Sequence, residues 1–156
     1  MDTNQPLEIG KYLKGKSNVL LLAGSLCDEV DFNGKKLLDY AAQIANKIGV
    51  PIAATGNTTK GLRERSVERV KKMWVAEVLE YLRYPWQDPV IEHRPEVLVF
   101  IGYSPAVAQR LVSAVQDTDC IVLGDQYIEG ALYCLPDASL GQWQQNLEQL
   151  LQALEK

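Results

Sequence analysis

From Val19 to Ala23 the chain reads Val-Leu-Leu-Leu-Ala and stops at Gly24, an apolar run with no charge and little alternation. A strand with one wet face alternates apolar and polar residues, so this run suits a strand covered on both faces, as in a parallel sheet. Between Asn33 and Gly49, Leu37, Leu38, Ala41, Ile44, Ala45 and Ile48 recur at helical spacing, with Lys35, Lys36, Asp39, Gln43 and Lys47 mostly opposite them. Asp31 or Asn33 is placed to cap the start of this helix, and Gly49 to end it in a left-handed conformation. Pro51-Ile52-Ala53-Ala54-Thr55-Gly56 follows as a second strand, with Asn57-Thr58-Thr59-Lys60-Gly61 as its loop. Two buried strands joined by a helix are parallel neighbours with a right-handed crossover, and ligands usually bind the loops at their carboxyl ends. Those loops begin at Gly24 and Gly56.

The 156 residues suit one domain, with residues 1–17 as a polar extension or short helix. A chain this long buries roughly two thirds of the surface its unfolded form exposes, so it needs no covalent staple. Cys27, Cys120 and Cys134 are odd in number and scattered, which fits neither a disulfide framework nor a cluster site and points to a reducing cytoplasm. The apolar runs are far shorter than the ~20 residues of a membrane span, and the polar start argues against secretion. A formal charge of -4 argues against general nucleic-acid binding. The charge is uneven, however. Basic residues dominate from Lys60 to Lys72 (Lys60, Arg63, Arg65, Arg69, Lys71, Lys72), and acidic ones from Asp117 onward. Such segments are either two solvated faces or a docking surface for a charged partner.

Val67, Val70, Trp74, Val78, Tyr81 and Leu82 form a stripe that predicts one long helix ending before Pro85, with its aromatics packed inward. Tyr84 to Pro89 holds two prolines and Trp86 and reads as an irregular loop. Val97 to Ile101 is another apolar strand closed by glycine, Gly102, and Ser104-Pro105 supplies an N-cap and a first-turn proline for a helix to about Val115. Cys120 to Leu123 is the next strand, closed by Gly124, and Ala131 to Leu135 the last. The short connection between them favours, on spacing alone, an antiparallel hairpin. A final helix starts at Ser139 with a Ser-x-x-Gln box to Gln142 and buries Leu140, Trp143, Leu147, Leu150, Leu151 and Leu154.

The chemistry-bearing residues are few. His93 is the lone histidine, in a polar segment without an obvious nucleophile, and no Walker loop, HExxH, G-x-S-x-G or Cys/His metal spacing appears. No catalytic or metal-binding residue is therefore expected. What the chain offers is a set of small polar residues at three strand ends: Gly24 and Ser25; Gly56, Asn57, Thr58 and Lys60; and Gly102 with Ser104. Glycine lets a phosphate approach the backbone, and a helix N-terminus favours negative charge, so this set is a candidate nucleotide site. The first loop has one glycine where G-x-G-x-x-G has three, and Asp28 and Glu29 put negative charge where a pyrophosphate would sit. The alternative is that the glycines simply end strands.

On Leu20-Leu21-Leu22-Ala23-Gly24-Ser25-Leu26, Ile48 to Gly56, and Phe100-Ile101-Gly102-Tyr103-Ser104, the chain from about Lys16 onward resembles the epsilon subunit of the archaeal carbon monoxide dehydrogenase/acetyl-CoA decarbonylase-synthase complex. Pro51 to Gly56 followed by Lys60-Gly61 is also similar to the DHS-like NAD/FAD-binding central domain of thiamine-diphosphate enzymes, a likeness of fold alone. The resemblance implies a three-layer, doubly wound, Rossmann-like α/β fold with a mostly parallel sheet of five or six strands, against the hairpin expectation. It implies a non-catalytic accessory subunit in one-carbon metabolism and methanogenesis. Its partner would be the alpha subunit of carbon monoxide dehydrogenase, which carries the nickel-iron-sulfur and iron-sulfur clusters, two alpha with two epsilon. Stabilisation of that subunit is the first implied role, and assistance to electron transfer toward FAD the alternative, with Gly24, Ser25, Gly56, Asn57, Thr58, Lys60 and Gly102 as candidate cofactor residues. A homodimer stays open. The segment between Trp74 and Val97 lacks a glycine-rich insertion expected in some relatives, a departure in a region that would face a partner.

Overall fold

A computed structural model describes residues 5–54, 56–67, 69–73, 75–82, 94–115 and 117–155. His93, Trp74 and the whole segment from Tyr84 to Pro89 with Trp86 lie outside them. In chain order the elements are α1 (Gln5–Lys14), β1 (Val19–Ala23), α2 (Leu26–Glu29), α3 (Leu37–Ile48), β2 (Ile52–Ala54), α4 (Gly56–Glu64), β3 (Val70–Lys72), α5 (Val75–Leu82), β4 (Val97–Ile101), α6 (Pro105–Ala114), β5 (Asp119–Val122), β6 (Tyr133–Cys134) and α7 (Leu140–Glu155). The strands form one sheet in the order β3-β2-β1-β4-β5-β6, and every neighbouring pair is parallel.

The two central strands, β1 and β4, are buried at all five positions each. Their alternate residues feed two separate cores, which is why neither strand alternates in sequence. Val19, Leu21, Ala23, Val97, Val99 and Ile101 join the core under α1, α3 and α7. Leu20, Leu22, Leu98 and Phe100 join the core under α5 and α6. The result is a three-layer, doubly wound α/β fold of Rossmann type. Helix α1 sits close against α7: a Cβ on Gly10 would lie 2.6 Å from the Cβ of Ala153.

Capping follows the sequence in most places. Gly49 is left-handed (φ 67°, ψ 38°) at the end of α3. The Ser104 hydroxyl accepts the Val107 N–H (3.4 Å), and that of Ser139 accepts the Gln142 N–H (3.2 Å). Gln142 does not complete the box, because its side chain donates to Asn146 Oδ1 (3.2 Å). Neither Asp31 nor Asn33 caps α3. Asp31 accepts the Gly34 N–H (2.7 Å), tightening the preceding turn, and Asp39 in the first helical turn accepts the Lys36 N–H (2.8 Å).

Three further expectations need correction. Asn57 to Gly61 belongs to helix α4 rather than to a loop. Gly, Asn and Thr suit both loops and first helical turns, and Gly61 allows close packing on α3, where a Cβ would meet Leu38 Cδ2 at 2.5 Å. The stripe from Val67 to Leu82 is not one helix: Val70–Lys72 pairs with Ile52–Ala54 as an edge strand, and the helix starts at Val75. Only Val70 of this strand is buried, so it carries too little apolar pattern to read as a strand. The last two strands are parallel, Ile121 opposite Tyr133 and Val122 opposite Cys134. Their connection crosses without a helix because side chains hold it. The Gln109 amide donates to Glu129 O (2.7 Å) and accepts the Glu129 N–H (3.0 Å), and Asp137 accepts the Tyr127 N–H (2.7 Å).

Candidate functional site

In the strand order, β1 and β4 flank the point where the winding reverses, and the crevice at their carboxyl ends is the usual ligand position of such folds. Gly24 and Gly102 both stand there, but they face each other. The Gly24 N–H donates to Ile101 O (2.9 Å), the Leu26 N–H to Gly102 O (3.0 Å) and the Cys27 N–H to Gly24 O (3.1 Å). A Cβ on Gly24 would lie 2.5 Å from Gly102 O and 2.8 Å from the Tyr103 ring. A Cβ on Gly102, where φ is +88°, would lie 2.5 Å from Cys27 Sγ and 2.9 Å from Gly24 O. The space each glycine leaves is thus filled by protein backbone and by Cys27.

The second group is similarly engaged. Thr58, fully buried in the first turn of α4, donates its hydroxyl to Asp28 Oδ2 (2.8 Å), so a carboxylate of α2 occupies the helix terminus where an anion would bind. The hydroxyl of Thr59 donates to Ala54 O (3.4 Å). Gly56 starts α4, and the Asn57 side chain lies outside the described ones. Lys60 and Ser25 are exposed, and Ser25 makes no side-chain cap bond to α2. The structure therefore unites Gly24 with Gly102, and Thr58 with Asp28, around internal contacts.

The cysteines are buried and unpaired. Burial, then the neighbouring Asp28 charge, pushes the Cys27 thiol far up, and it donates to Ile101 O (3.5 Å). Burial likewise pushes Cys120 up to about 11. Among the described residues no group of three or more His, Cys, Asp or Glu is placed to hold a metal ion.

A cavity of about 180 Å³ does open at this end of the sheet, beside the crevice. Leu26, Val30, Tyr103, Val122, Asp125 and Trp143 are among its walls. Sequence reasoning missed it. Trp143 reads as core, which it also is, through an edge-to-face contact with Phe32 (5.4 Å between centroids). Gly124-Asp125 ends a fourth apolar strand, and the strand-end rule applied there would have found it. The basic side chains collect elsewhere: Lys60, Arg63, Arg69, Lys71 and Lys72 are exposed on α4 and the β3 edge, while Arg65 is paired with Asp39 (2.6 Å). Asp117, Asp119, Glu129 and Asp137 are exposed around β5 and β6, at the other edge.

These features define the class, a doubly wound Rossmann-like α/β protein whose strand-end glycines close on one another. No protein-family model matches the chain. It is similar to the acetyl-CoA decarbonylase/synthase complex subunit epsilon 1 of Archaeoglobus fulgidus, 28% identical over 116 residues, covering 72% of this chain and 59% of that protein. It is also similar to the acetyl-CoA decarbonylase/synthase complex subunit epsilon of Methanothrix soehngenii, 26% identical over 117 residues, covering 74% of this chain and 60% of that protein. Both are epsilon subunits, the kind of protein the residues resemble, and the chain spans about 60% of their length. Among the described residues no helix is long and apolar enough to cross a membrane.

Proposed function

We propose that this chain is a non-catalytic, cytoplasmic accessory subunit of an acetyl-CoA decarbonylase/synthase complex, docking on and stabilising the cluster-bearing alpha subunit of its carbon monoxide dehydrogenase component. The similarity to two epsilon subunits carries the reading. The absence of thiolate chemistry supports it, since all three cysteines are buried and their thiols are held protonated by burial. The docking face is the basic β3 edge, where Lys71 and Lys72 also discourage uncontrolled strand pairing. Co-purification with the alpha subunit under reducing, anaerobic conditions, two copies of each, is the expected result, and its stability should fall with salt because exposed charges are screened within ~8 Å at physiological ionic strength. A chain that stays alone in the presence of that subunit would overturn the reading. Association insensitive to salt would remove the β3 edge from it.

A second reading, an FAD or dinucleotide module assisting electron transfer, is favoured by one observation, the 3-2-1-4-5-6 strand order. It would use Gly24, Ser25, Gly56, Asn57, Thr58, Lys60 and Gly102. The contacts of Gly24, Gly102 and Thr58 oppose it, because a pyrophosphate would have to displace the Asp28 carboxylate from Thr58. Titration of FAD against the chain, followed by flavin fluorescence, decides it: an unchanged signal ends the idea for the isolated chain.

A further inference from the structure

Strand β3 stands at one end of the sheet, and part of its backbone is left open there. The Ile52 N–H donates to Arg69 O (2.8 Å) and the Met73 N–H to Ala54 O (2.9 Å), so in this parallel ladder Arg69, Lys71 and Met73 turn their backbone groups toward β2. Val70 and Lys72 turn theirs outward. The Val70 carbonyl accepts the Arg63 guanidinium (3.4 Å), whereas the N–H groups of Val70 and Lys72 and the Lys72 carbonyl have no partner among the described residues. Such a row of unpaired groups is a template for a further strand.

The side chains decide which strand can use it. Lys71 stands opposite Ala53, which belongs to the core under α5 and α6, and Lys72 opposite Ala54, which belongs to the core under α1, α3 and α7. The two exposed lysines therefore flank the edge on both faces of the sheet. Lys60, Arg63 and Arg69 are exposed beside them, against exposed Glu64 and Glu77. Like charges directly opposite on neighbouring strands destabilise the pair and opposite charges stabilise it, so the lysines reject a basic strand and favour an acidic one. We propose that the β3 edge takes up an extended acidic segment of a partner protein as an added strand, with two consecutive carboxylate side chains opposite Lys71 and Lys72. Consecutive strand residues point to opposite faces, so one carboxylate meets each lysine. This mode rests on the β3 edge being the docking face, and adds the partner's conformation and charge.

The probe is the peptide acetyl-Thr-Val-Glu-Glu-Val-Thr-amide, whose palindromic order fits either strand direction, with Gln-Gln and Lys-Lys replacing Glu-Glu in two comparison peptides. The full chain, labelled with 15N, is titrated with each while backbone amide resonances and their hydrogen exchange are followed. At saturation the Glu-Glu peptide should shift the Lys72 amide and slow its exchange, and leave the exchange of the Lys71 amide, which already faces β2, unchanged. It should bind about fivefold tighter than the Gln-Gln peptide, through two opposite-charge cross-strand pairs, and the Lys-Lys peptide should give no saturable shift. In the double variant Lys71→Glu with Lys72→Glu, the order of the Glu-Glu and Lys-Lys peptides should reverse. Binding of the Glu-Glu peptide without slowed exchange at Lys72, no binding at all, equal affinity for Glu-Glu and Gln-Gln, or an unchanged order in the double variant would each overturn the proposal. No alpha subunit takes part, so a chain that co-purifies with that subunit but fails these titrations keeps its partner and loses this mode of docking.

Discussion

Replacing Gly102 by alanine probes whether the strand-end glycines serve the fold itself. Two costs combine. At φ +88° an L side chain is strained, a cost of about 1–3 kcal/mol. The new Cβ also meets Cys27 Sγ at 2.5 Å, Gly24 O at 2.9 Å and the Cys27 N at 3.0 Å. Two of those atoms are backbone and the third is a fully buried side chain, so none can swing away, and overpacking of this kind costs about 1–3 kcal/mol. One backbone shift relieves part of both, giving a loss of about 2–5 kcal/mol. In urea, with a slope near 2 kcal/mol per molar, the midpoint should fall by about 1–2.5 M.

The control is Gly34→Ala, at φ +107° with nothing within 4 Å of the new Cβ, which carries the strain without the crowding. The difference between the two variants isolates the crowding, and circular dichroism in urea without any ligand measures it. If Gly102→Ala loses no more than Gly34→Ala, the close approach of β1 and β4 does not require glycine there. The reasoning that assigns these glycines to packing then fails, and the crevice is open to a ligand again.

Three further outcomes follow from the contacts of α3, α4 and α7. Tyr40→Phe keeps the edge-to-face contact with Phe32 but loses both the 2.5 Å bond donated to Glu148 and the 3.0 Å bond accepted from the Gln144 amide, and should cost about 2–3 kcal/mol, the sum of the lower ranges for a charged and a neutral bond, by urea titration. Burial tends to raise the Asp39 carboxyl, but the bonds from Arg65 and the Lys36 N–H win and hold it below 3.8; the Tyr40 bond, then Lys35, holds Glu148 below 4.5. Both are depressed in the folded state, so their contribution is full above the unfolded values and lost as pH falls through the folded ones; Asp39→Asn with Glu148→Gln should flatten the fall in stability between about pH 5 and pH 3. Gly141→Ala, in the first turn of α7 with open space around it, should raise stability by about 0.5 kcal/mol in thermal or urea unfolding.

Strands β1 and β4 were legible because both faces of the sheet are covered, which leaves an uninterrupted apolar run. The edge strand β3 was not, because burial at Val70 alone leaves a pattern that any helix also satisfies. Helix α4 was hidden by Gly56, Asn57, Thr58 and Thr59, whose preference for loops gives way once Asp28, from a helix distant in sequence, holds Thr58. The direction of β6 depends on the Gln109 clamp around Glu129, a contact between elements that no local pattern contains. The site shows the same division. Gly24 and Gly102 were found, but that they meet each other is a tertiary fact.

A glycine after an apolar strand arises from two different needs, ligand approach or the approach of another backbone, and what occupies the missing Cβ position separates them. At Gly24 and Gly102 that position is taken by a carbonyl oxygen and by Cys27. At Gly124, the end of β5, the nearest atom is Val122 Cγ1 at 3.9 Å, and the residue borders the cavity of Trp143 and Asp125. The crevice expected of a doubly wound sheet is therefore closed where β1 meets β4 and open one strand further on.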